Sequence, residues 1–144
     1  MVTAFRRLVR KPGDVPLLAA IGWFVATLPK RIERAPDVER LLKDLNGAKW
    51  PRASQERVAR LRGWWLWKRF GDRNTCYVRA LTMYRFLDAP AEQLRLHMGI
   101  EEVDASHDRL HGHAWVSVAG RIVEGPEPAL AGRVREIPLA QALR

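Results

Sequence analysis

Apolar positions along this chain change their spacing near residue 75. Before it they recur every three or four residues, in blocks separated by prolines and an Asn-Gly pair. After it they tend to alternate. The first block is the apolar run from Val15 to Leu28, which predicts a helix over 16–28 stopped by Pro29. Pro36 at a first turn and Asn46-Gly47 at the end predict a second helix over 36–45. Ser54 predicts the start of a third, reaching Phe70, with Val58, Leu61 and Trp65 on one face. Arg57, Arg60, Arg62 and Lys68 supply its charge. Trp64, Trp65 and Trp67 cluster near its end, which suits helix packing better than a peptide groove. A polar turn over 71–75 then leads to a helix over 76–87, with Tyr77, Ala80, Leu81, Tyr84 and Leu87 as its apolar face and Pro90 beyond its end.

From Leu94 the period is two. Leu94, Leu96, Met98 and Ile100 share one side of a strand. A polar loop over 104–110 follows. Strands over 113–118 and 121–124 flank Ala119-Gly120, a hairpin signal weaker than Asn-Gly. A last strand is expected over 134–137. Helices first, then a helix packed on a small antiparallel sheet, give an α+β fold. The chain divides into a helical region over 1–70 and a core over 71–144, together one compact domain.

The chain has 144 residues and a formal net charge of +9, so acidic peptides, nucleic acid and anionic surfaces are all attracted to it. No motif for reading DNA or RNA accompanies the charge. The stretch Arg6, Arg7, Arg10, Lys11 followed by the apolar run is similar to a signal peptide. It lacks a small-x-small site before Pro29 and has Trp23 and Phe24 near its middle. At 14 residues the run is too short to cross a bilayer alone. These features point to a cytoplasmic protein without membrane association, whose first helices dock a partner.

Cys76 is the only cysteine, so no internal disulfide forms. With Asn74 or Thr75 as cap it lies in the first turn of a helix. The amides and dipole there favour a thiolate and can hold an oxyanion. A lone helical cysteine is more often a small buried hydrophobe. His113, opening a strand downstream, supplies the base that a thiol nucleophile needs. If 118 pairs with 121 and 115 with 124, Glu124 lies on the face of His113 and Trp115, diagonal to the imidazole. A slip of one residue removes it from that face, leaving Asp104 or Asp108 as the orienting acid. His107, His111, His113 and Cys76 match no zinc-ligand spacing, so neither metal nor cofactor is expected.

The run Cys76-Tyr-Val-Arg-Ala-Leu, then a strand through Gly99, then His113-Ala-Trp-Val and Gly120-Arg-Ile-Val-Glu124, resembles the transglutaminase-like cysteine peptidases of lasso-peptide biosynthesis. The match covers about 70–128. It implies a papain/transglutaminase-like core with a Cys-His-acid triad of Cys76, His113 and Glu124, although the acid is usually aspartate in that family. It further implies removal of the leader from a ribosomally made precursor peptide. The implied partners are that precursor, a small leader-recognition protein and an ATP-dependent lasso cyclase. Two other readings remain: acyl transfer to an amine from the same thioester, and a peptide-binding scaffold without catalysis.

Overall fold

A computed structural model describes residues 7–47, 50–71, 76–101, 111–125 and 134–137. Four helices precede a four-stranded sheet: α1 (Asp14–Arg34), α2 (Val38–Gly47), α3 (Gln55–Phe70), α4 (Cys76–Phe86), β1 (Leu94–Glu101), β2 (His111–Val118), β3 (Arg121–Glu124) and β4 (Val134–Ile137). The α+β architecture expected from the sequence is the one observed.

α1 begins earlier than its apolar run and continues through Pro29. Proline removes one helical hydrogen bond, but here the ring is exposed, while Phe24, Val25 and Leu28 on one side of it and Ile32 on the other pack on the core. The helix is therefore 21 residues long. It has the length and composition to cross a membrane, so the argument from a short run fails. Its apolar stripe is instead spent on this fold: Leu17, Ile21, Phe24, Val25 and Leu28 are at most 2% exposed.

The early start of α1 follows from Asp14, which is fully buried. It accepts the backbone N–H groups of Arg10 (2.9 Å) and Lys11 (3.1 Å). Its Oδ1 also accepts from Arg57 Nε at 2.9 Å and Nη2 at 2.6 Å and its Oδ2 from Arg60 Nη2 at 2.8 Å, so these arginines of α3 turn inward rather than coat a solvated face. Burial alone would raise the Asp14 pKa, but the hydrogen bond from Arg57, the two amides and the Arg57 charge outweigh it and hold the carboxyl at about 2. The pKa is depressed on folding, so the stabilisation is complete above the ordinary 3.8 and is lost as pH falls towards 2. Asp14→Asn should cost about 2–3 kcal/mol at neutral pH, because two part-buried arginines lose their countercharge. Urea melts should show the gap from wild type closing between those two pH values.

α2 starts two residues beyond Pro36, because Asp37 is the residue that caps it: the Arg40 amide donates to Asp37 Oδ1 at 2.7 Å. Ser54 precedes α3 in an extended conformation. Val58 and Leu61 are completely buried and Trp65 is half-buried, as the spacing predicts, whereas Trp67 is 72% exposed. The Trp65 indole donates to the Leu18 carbonyl at 2.8 Å. It lies where any side chain on Gly22 would stand, so glycine is what lets α1 and α3 meet.

α4 is buried on every side from Ala80 to Phe86. It is the central helix, packed on α1 and α3 and against β2. Phe24 meets Phe86 edge to face at 5.5 Å between centroids. A short bridge ties its end to the start of α3, with the Ala53 amide donating to the Phe86 carbonyl at 2.8 Å.

The sheet is antiparallel throughout, in the order β3-β2-β1-β4. Ala119 (φ 49°) and Gly120 (φ 80°) both take positive φ, the two-residue turn that a tight hairpin requires. Leu94, Leu96, Ala114 and Val116 face the helices. By alternation the second face carries His97, Gly99 and Glu101 of β1, and His113, Trp115 and Ser117 of β2. One buried cluster runs from Leu8 to Val116 and so draws on both helices and sheet.

Candidate active site

Cys76 is the first described residue of α4. Asn74 and Thr75 lie outside the described residues. The sulfur is 3.5 Å from the carbonyl oxygen of Gly112, the residue preceding His113. The thiol therefore touches the backbone of β2 one residue before His113. Cys76 is partly exposed, unlike the core positions that follow it from Ala80.

His113 is held from the other side. Its Nε2 is 3.2 Å from Glu101 Oε2, and the two side chains are 11% and 18% exposed. In the β1–β2 register His113 pairs with Gly99 and Glu101 with His111, so Glu101 is the diagonal neighbour of His113 on the same face. A carboxylate can only accept, so Nε2 is the donor in this contact.

The expectation for Glu124 is corrected by this geometry. Val118 pairs with Arg121 and Ser117 with Ile122, but a bulge then sets Glu124 opposite Val116 rather than Trp115. The extra residue turns Glu124 to the helix side of the sheet. There Oε2 accepts from Arg62 Nη1 at 2.8 Å and Oε1 lies 3.1 Å from Arg79 Nη2. Arg62 also donates to the Arg79 carbonyl at 3.0 Å. Burial lowers the Arg62 pKa, and the Glu124 charge works against that shift. Glu124 thus ties β3 to α3 and α4, at some remove from the imidazole it was expected to orient. Asp104, Asp108 and His107 lie outside the described residues, as does the side chain of His111.

Sequence reasoning missed Glu101. The signal was there: closing β1 on β2 so that 101 faces 111 places a carboxylate diagonal to His113. No turn motif in 102–110 fixes that register, so the hairpin beyond β2 drew the attention instead.

Gly99 shows how tightly this face is built. A side chain at that position would collide with Trp115 Cζ3, Val134 Cγ1 and the Arg135 carbonyl oxygen, all within 2.9 Å. Trp115 in turn stacks on His97, with centroids 5.4 Å apart and the planes 8° from parallel. His97 is clasped between Glu136 (2.6 Å) and Ser117 (2.8 Å), which joins β4 to the sheet. The wall beside His113 is thus fixed by packing and hydrogen bonds.

In chemical terms the arrangement offers a partly exposed thiol at the start of a helix, in contact with the strand that carries His113, and a histidine with a carboxylate on Nε2. A comparison with models of protein families finds one match, described as the transglutaminase-like superfamily, over residues 15–138. Comparisons with curated proteins and with solved structures return no match.

Proposed function

The chain belongs to the transglutaminase-like superfamily, which includes cysteine peptidases and acyltransferases, and on that premise we propose that it is a thiol peptidase that removes the leader from a ribosomally made precursor peptide. The observation that carries the chemistry is the approach of the Cys76 sulfur to Gly112, one residue from a histidine whose Nε2 is already engaged by Glu101. The lasso-peptide assignment is supported by the ordered resemblance from Cys76-Tyr-Val-Arg-Ala-Leu to His113-Ala-Trp-Val.

In the proposed reaction, His113 Nδ1 takes the thiol proton and the sulfur attacks the scissile carbonyl. Amides of α4's first turn hold the oxyanion. The tetrahedral intermediate collapses as the imidazolium gives its proton to the departing amine, which leaves as the new N-terminus. Water, deprotonated by the same imidazole, then cleaves the thioester and frees the leader as a carboxylic acid. Glu101 fixes the tautomer and supports the charged ring in both halves. The resemblance also suggests that a small leader-recognition protein presents the precursor and that an ATP-dependent cyclase uses the freed amine.

Incubation of the protein and such a recognition partner with leader-bearing precursor, read by intact mass, tests this. The expected products are a core peptide with a free amine and a leader with a free acid. A leader joined to an added amine would assign acyl transfer instead. Precursor left whole would reject both.

A further inference from the structure

A cavity of about 470 Å³ opens between the C-terminal half of α1 and α2, and it shares no residue with the site around Cys76. Its α1 wall repeats at helical spacing: Trp23, Thr27, Lys30, Arg31 and Arg34. This stripe runs beside the face that packs on the core. Trp23 is 63% exposed, a large aromatic left in water, which is the kind of residue that marks a binding surface. α2 contributes apolar lining from Leu41 and Leu45.

The charge is one-sided. Four cations, including Arg40, line the cavity against one carboxylate, Asp44. That carboxylate meets Arg40 at 3.8 Å, with both side chains about 60% exposed, so it neutralises little. Among the described residues Lys30, Arg31 and Arg34 have no carboxylate partner within 4.0 Å. Like charges so arranged repel one another, and an anionic occupant relieves that repulsion.

We propose that this groove is a docking site for a short acidic segment of the peptide substrate, one apolar side chain resting on Trp23 and its carboxylates on Lys30 and Arg34. The segment's identity as substrate rests on the peptidase reading; its acidic and apolar chemistry rests on the groove alone. A concave cleft between two helices suits a peptide better than the flat surface of a bilayer.

Fluorescence anisotropy tests the proposal on the full chain carrying Cys76→Ala, which prevents turnover of the probe. The probe is a short fluorescein-labelled peptide rich in glutamate with two leucines, compared with its glutamine counterpart. The glutamate peptide should bind at least about tenfold more tightly and weaken as salt rises. Lys30→Glu with Arg34→Glu should remove that advantage, and Trp23→Ala should weaken binding about threefold or more, with unchanged circular dichroism. Arg7→Glu with Arg10→Glu, a charge-matched control in the segment preceding α1, should change affinity by less than about twofold. Equal binding of both peptides, or indifference to the groove substitutions, overturns the proposal. So does binding only to phosphatidylserine vesicles, or an equal loss from the control pair. If acidic peptide binds at the groove while precursor cleavage does not need Cys76, the peptidase reading alone falls. If cleavage needs Cys76 while the groove binds nothing, the groove inference alone falls.

Discussion

Cys76→Ala should abolish precursor cleavage, with a loss of at least about 10⁴-fold, and leave the fold intact. No other cysteine exists to replace the thiol, and alanine has nothing with which to form the acyl intermediate. The side chain is partly exposed at the first residue of α4, while the helix is secured by the buried stretch from Ala80 to Phe86. Its removal leaves no large cavity, so the melting temperature should move by no more than a few degrees. Cleavage is read by mass and folding by circular dichroism. Substantial cleavage by a folded alanine variant would remove Cys76 from the mechanism.

Two carboxylates near β2 should respond in opposite ways. Glu101→Gln keeps the size and one acceptor but loses the charge that supports His113 when the ring is protonated. Turnover should fall while stability holds, and the loss should be roughly a hundredfold smaller than for Cys76→Ala, because an orienting acid contributes less than a nucleophile. Glu124→Gln leaves Arg62 buried without its countercharge. That should cost about 3 kcal/mol of stability. Its effect on turnover in the surviving folded fraction should be small. Parallel urea melts and initial rates separate the two. The reverse outcome, a stable but inactive Glu124→Gln and an active Glu101→Gln, would restore the hairpin acid to the imidazole.

The contrast shows what the sequence could and could not specify. Period and punctuation were enough for the number and order of the helices and strands, if not for every helix end: Arg121–Glu124 and Val134–Ile137 are found where the alternation places them. Cys76 and His113 were singled out by strong local patterns, although His113 is the third residue of β2 rather than the residue that opens it. The acid was not, since it depends on register. Ala119-Gly120 sets the start of the β2–β3 pairing correctly, yet a bulge after Ser117 undoes it before Glu124. A single inserted residue leaves no mark in the hydrophobic pattern. The Asp14 cluster was hidden for a related reason. Arginines at 57 and 60 look like a solvated helix face until α1 brings a buried carboxylate to them. Pro29 misled in the opposite direction, since a local breaker yielded to burial of the apolar stripe on either side of it.

The rate of iodoacetamide alkylation of Cys76 at pH 7, compared between wild type, His113→Ala and a short unstructured peptide containing cysteine, tests the central claim most directly. An imidazole that draws off the thiol proton should make wild-type Cys76 react at least about tenfold faster than the peptide, and His113→Ala should forfeit that advantage in a protein that remains folded. A wild-type rate at or below that of the peptide, unchanged by His113→Ala, would contradict the assignment of Cys76 and His113 as a catalytic pair.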